Sequence, residues 1–98
     1  MIIRKVVGES MSPVLCGGQI VLATRNIKKI KNNDVLIVLI DGREVIKRVI
    51  AIKDEFIWIE GDNKRHSTDS RKYGWIPKIY AFARVVYPGG LHHHAKNR

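Results

Sequence analysis

Apolar residues come in short bursts along this chain, and none of them repeats at helical spacing over any length. Ile2-Ile3 and Val6-Val7 give a short extended start. Residues 8–13 interrupt it, because Gly8 and Pro13 punctuate regular structure. Residues 19–24 read as a strand, and the lysine-rich stretch 26–33 reads as a loop. Residues 34–40 are almost wholly apolar and β-branched, the pattern of a strand covered on both faces. Asp41-Gly42 follows at once and predicts a hairpin through a type I′ turn, whose two central residues both need positive φ. The return strand is expected over 43–52, a turn over 53–55 and a further strand over Phe56–Glu60. Residues 61–74 are polar and long for a connection, which marks them as functional. Trp75-Ile76-Pro77 closes that loop, and 79–87 form the last strand. The expected class is all-β, a small coiled-sheet or barrel-like domain over 1–88 with a flexible C-terminal tail over 89–98.

Composition narrows this picture in three places. At 98 residues the chain is one small domain, and 45% hydrophobic content is enough to fold it. The longest apolar run, Val35 to Ile40, falls far short of the about 18 residues that cross a bilayer. Arg4 and Lys5 are followed by no apolar stretch of signal-peptide length, so a cytoplasmic location is expected. The extracytoplasmic face of a membrane is expected instead if the chain is a fragment or has an anchored partner. The formal net charge of +9 favours anionic partners, whether acidic protein, a membrane surface or nucleic acid. Cys16 is the only cysteine and reads as a small buried filler. His92, His93 and His94 read as part of a frayed tail rather than a metal site, and no cofactor is expected.

Three segments carry candidate chemistry. Ser10 sits between Gly8 and Pro13, where a turn can present a hydroxyl and a backbone N–H toward one point. Lys47 shares a strand face with Val45 and Val49, so it is expected to be partly desolvated. Desolvation lowers a lysine pKa, and a base working near neutral pH needs a fall of roughly 2–3 from about 10.4. Ser67, Asp69 and Arg71 alternate, so extended chain would put them on one face. There Ser67 can orient a lysine amine, while Asp69 and Arg71 pair and brace the loop. Each segment alone also fits a plainer role: a turn serine, an edge lysine, a polar surface loop.

Together the three resemble the type I signal peptidase family. The matching runs are Gly8-Glu9-Ser10-Met11-Ser12-Pro13-Val14-Leu15, then Lys47-Arg48-Val49-Ile50-Ala51, then the stretch from Gly61-Asp62-Asn63 through Ser67-Thr68-Asp69-Ser70-Arg71 to Gly74. The resemblance implies a mostly β serine endopeptidase with Ser10 as nucleophile and Lys47 as general base. Gly8, Met11, Ser67, Asp69 and Arg71 would support them. It departs from the family where Gly18-Gln19 replaces the usual Gly-Asp and where Ala51 replaces a glycine, and it is expected to be without the membrane anchor and the enlarging insertions. It is thus similar to compact relatives that trim a leader or propeptide, such as those that mature nickel superoxide dismutase. The implied partner is a precursor protein bound as an extended peptide, with a membrane surface or a membrane-anchored protein as a further one. Two other functions fit the scaffold: a LexA-type self-cleaving domain, and a non-catalytic basic β module with Phe56, Trp58 and Trp75 stacking on nucleic acid. No nucleic-acid-binding motif is present, and nucleic acid is not the expected partner.

Overall fold

The Asp41-Gly42 turn sets the register of the longest hairpin. In the computed structural model, which describes residues 1–91, both residues take positive φ, at 51° and 76°. The turn joins β3 (Val35–Ile40) to β4 (Arg43–Lys53), with Ile40 opposite Arg43 and Leu36 opposite Lys47. Because side chains alternate, β3 sends Val35 and Ile37 into one core cluster and Leu36 and Val38 into another. All four are buried, as a strand covered on both faces requires.

The remaining strands are β1 (Ile2–Lys5), β2 (Ile20–Thr24), β5 (Phe56–Glu60), β6 (Ile76–Pro77) and β7 (Ala81–Tyr87). All pair antiparallel in one sheet of order β1-β2-β7-β3-β4-β5-β6. The fold is therefore all-β, and the sheet is coiled rather than closed into a barrel. Coiling follows from the right-handed twist of strands and from register shifts at Leu22/Ala23, Ile37/Val38 and Val49/Ala51. Its extent is plain from one contact. Three strands separate β1 from β4 in the sheet, yet Arg4 on β1 meets Glu44 on β4 at 2.6 Å.

Two features of this sheet position the site. β5 pairs with β4 only from Arg48 onward, so residues 43–47 of β4 have a strand partner on the β3 side alone. Arg48, on the opposite face from Lys47, is fully buried and bonds Asp62 through two nitrogens at 2.8 Å each. Its Nη1 donates to the backbone carbonyls of Asn33 and Leu91. A buried guanidinium left unpaired is strongly destabilising. These bonds therefore fix the 61–74 loop, the 26–33 loop and the chain beyond β7 against one point of β4.

The structure corrects the sequence reading in places. Cys16 is exposed rather than buried. The Leu15 amide bonds the Met11 carbonyl in a helical turn, which buries Met11 and Leu15 together and rotates the next residue outward. The 61–74 stretch is more regular than a polar loop. It holds a 3-10 turn at Lys64–His66 and a short helix α1 (Ser70–Tyr73), capped by Asp69 and ended at Gly74 with φ 82°. The final strand starts at Ala81 because a 3-10 turn occupies Lys78–Tyr80. Within the segment set apart as a tail, Leu91 is buried in the core cluster that contains Ile2 and Val6. His92, His93 and His94 lie outside the described residues. Among the described residues no helix is long and apolar enough to cross a membrane.

Candidate active site

Lys47 is the last residue of the β4 stretch that β5 leaves unpaired, and its side chain points to the face of Leu36 and Val49. It is 5% exposed. Burial pushes its amine below the ordinary lysine range; the nearby Asp69 carboxylate draws it back up, and Arg71 pushes it down again. Burial is the largest of these effects, so the neutral form becomes accessible at lower pH than in a free lysine.

Ser67 holds this amine. Lys47 Nζ donates to Ser67 Oγ at 3.0 Å, and the Gly61 amide donates to the same oxygen at 3.1 Å. The Ser67 hydroxyl in turn donates to Asp69 Oδ2 at 2.5 Å. Its proton is thereby committed away from Lys47, so the amine must spend an N–H on Ser67 while its lone pair stays free. Asp69 is 1% exposed and anchors the chain of bonds. Burial alone would raise its carboxyl. The bonds it accepts from the Arg71 guanidinium, Ser67 and the amides of Gly61 and Arg71 outweigh burial and hold it at about 2, below its ordinary 3.8. Arg71 reaches it at 2.9 Å from α1 rather than from extended chain. The cap on that helix therefore does what strand alternation was expected to do.

Ser10 arrives on a separate segment, the turn between β1 and β2. It follows β1 in a turn that Gly8 enters at φ 78°, a conformation costly for any residue with a side chain. The turn is tied to the 61–74 loop: the Asn63 amide donates to the Ser10 carbonyl at 2.8 Å, and Asn63 Nδ2 donates to the Glu9 carbonyl at 3.0 Å. Buried Met11 accepts from the Asp62 amide through its sulfur at 3.4 Å. Gln19 supports the far end of the turn, its Oε1 accepting from the Cys16 amide at 3.1 Å. Ser10 and Lys47 line one cavity of about 510 Å³ between β1, the serine turn and the unpaired edge of β4. None of the hydrogen bonds among the described residues joins the Ser10 hydroxyl to Lys47, whose amine is held by Ser67. Such contacts often tighten only with substrate bound.

The structure thus brings Ser10, Lys47, Ser67 and Asp69 to one place, with Arg71 behind Asp69, Met11 beneath the serine turn and Gly8 at its entrance. Sequence reasoning missed Gly61 as the hinge of the assembly. A Cβ built there would meet Ser67 Oγ, the Ser10 carbonyl oxygen at 2.5 Å and Ser67 Cβ at 2.6 Å. Only a glycine lets the two segments close. The signal available was a glycine ending an apolar strand just before Asp62-Asn63. Gly61→Ala is expected to cost about 1–3 kcal/mol of stability by overpacking. Displacing Ser10 from Ser67 should also lower any activity of the site by about 100-fold. Thermal melts and kcat/KM on one preparation check both, and an unchanged pair of values would refute the account. Arg48 was missed as well, although an arginine inside an apolar strand signals a buried partner.

Trp58 and Trp75 are engaged with each other, edge to face at 5.4 Å, and Trp58 donates to Glu60 at 2.8 Å. Among the described residues no cluster of three His, Cys, Asp or Glu side chains is placed to hold a metal ion. The family model described as Peptidase S24-like matches residues 1–86. No curated protein matches the chain.

Proposed function

We propose that this chain, which belongs to the Peptidase S24-like family, is a serine endopeptidase that uses a Ser10–Lys47 dyad to cut a leader or propeptide from a precursor protein. The observation that carries this reading is the buried amine of Lys47, held by Ser67 in the cavity that Ser10 also lines. A serine hydroxyl needs a base to take its proton. A lysine whose neutral form is favoured by burial, and whose lone pair is then unspent, has the right chemistry for that step.

In the reaction, neutral Lys47 takes the Ser10 proton as Ser10 Oγ bonds to the scissile carbonyl carbon. The resulting ammonium returns the proton to the leaving amine, which departs and leaves an ester on Ser10. Lys47 then takes a proton from water, the hydroxide attacks the ester, and the acid product leaves as Ser10 recovers its proton. In this reading the Ser10 backbone N–H, which donates to no other main-chain group among the described residues, serves the oxyanion. Ser67 is a positioning residue for Lys47, and Asp69 with Arg71 fixes Ser67. The substrate lies extended along residues 43–47 of β4, pairing through main-chain bonds with the edge that β5 leaves unpaired.

The test is covalent trapping. A peptide-based acylating probe should add its mass to the tryptic peptide that contains Ser10, and Ser10→Ala should abolish the adduct. An adduct on another residue, or none on folded protein, overturns the dyad.

A further inference from the structure

A bidentate ion pair lies across the groove at the end away from Ser10. Arg4 Nε and Nη2 donate to the two Glu44 carboxylate oxygens at 2.6 and 2.9 Å, and Arg4 Nη1 donates to the Ile3 carbonyl at 3.0 Å. The two residues are forty positions apart and sit on β1 and β4, so the pair spans the space between the groove walls. It is the one place where side chains of these walls bond to each other among the described residues. Both side chains are more than a third exposed, at 39% and 37%. An exposed pair contributes little to stability, so an incoming group can displace it at small cost.

The charges around the pair are unequal. The cavity lining carries Arg4, Lys5, Arg43 and Lys47 against the single carboxylate of Glu44. A peptide laid along 43–47 must pass this point. A basic side chain there meets these cations and can gain only Glu44, whereas an acidic one can take the planar Arg4 fork and leave the exposed Glu44 carboxylate to solvent.

Resting on the peptidase reading above, we propose that the Arg4–Glu44 pair is a specificity device, which selects precursor peptides with an acidic side chain at the far end of the groove by letting that side chain replace Glu44 on Arg4. Glu44 precedes Lys47 by three residues on β4. At roughly 3.3 Å per residue the selected side chain lies about 10 Å, or about three residues, from the bond that is cut. Glu44 acts as an internal competitor that keeps weakly matched peptides out.

The test is a set of peptides carrying Glu, Gln or Lys in turn at each of four positions on either side of the cleaved bond. Hydrolysis is read as kcat/KM, and binding as fluorescence anisotropy on the Ser10→Ala chain. Glu at one position should outperform Gln by roughly fivefold, the range of a single exposed ion pair. The preference should disappear in Arg4→Gln, grow in Glu44→Gln because the competitor is gone, and fade at high salt. Hydrolysis indifferent to peptide charge, or a preference that survives Arg4→Gln, overturns the selection and leaves the hydrolase standing. An Arg4-dependent charge preference in binding, with no peptide hydrolysed by the wild-type chain, supports the selection and overturns the hydrolase. No binding of any peptide overturns both.

Discussion

Ser10→Ala is expected to leave a folded chain that cuts no substrate peptide above background, a loss of at least about 1,000-fold in kcat/KM. The expectation combines two observations. The Ser10 side chain takes part in none of the hydrogen bonds that hold the turn. Those run through the Ser10 and Glu9 carbonyls to Asn63 and through the Met11 sulfur to Asp62, and alanine keeps them all. Removal of one exposed-side hydroxyl should therefore change stability by less than about 0.5 kcal/mol. The acyl step, in contrast, has no other nucleophile at that position. The double variant with Lys47→Met should be no worse than either single one, because residues acting as a unit lose their function together. A Ser10→Ala chain with residual activity near wild type, or one that fails to fold, would defeat this account.

Lys47→Met is expected to lose activity on the same scale for a different reason, and to gain stability while doing so. Methionine keeps most of the length and flexibility of the side chain and removes the base. Lys47→Arg should also be inactive, since a guanidinium does not give up its proton in this range. In the wild-type chain kcat/KM should rise with pH as the amine deprotonates, with its midpoint below the ordinary lysine value of 10.5. The stability effect has the sign of a depressed pKa. Between the folded value and 10.5 the unfolded chain holds the proton more often than the folded one. Stability therefore rises with pH through that window, and below it the full cost of burying the charge is present. Replacing the amine by an apolar group removes that cost, a gain on the order of 1 kcal/mol at neutral pH. Rates against pH and thermal melts of the three chains check both parts. A flat pH profile, or a Lys47→Arg chain that works, would remove Lys47 as the base.

The hairpin and the core strand were legible because their signals are local. Asp41-Gly42 can adopt positive φ at both positions, and 34–40 is apolar on both alternations. The burial of Lys47 was legible for the same reason, from its valine neighbours and a period of two. The helix at Ser70–Tyr73 was not, although Asp69 and Gly74 mark its two ends, because four residues carry no periodicity. Cys16 was misplaced because its exposure depends on how a helical turn rotates Leu15 inward, which composition does not encode.

By itself the sequence determined an all-β chain, its hairpins, and the residue types of a serine–lysine chemistry in three separate segments. Whether those segments meet was decided by the coiling of the sheet, which carries the end of β1 past three strands to the exposed edge of β4. The gap at Gly61 decided how closely they meet, and the coupling of Ser67 to Asp69 decided that an N–H of Lys47, and not its lone pair, is spent on Ser67. These depend on contacts between residues far apart in the chain, and local pattern holds no information about the twist that brings them together.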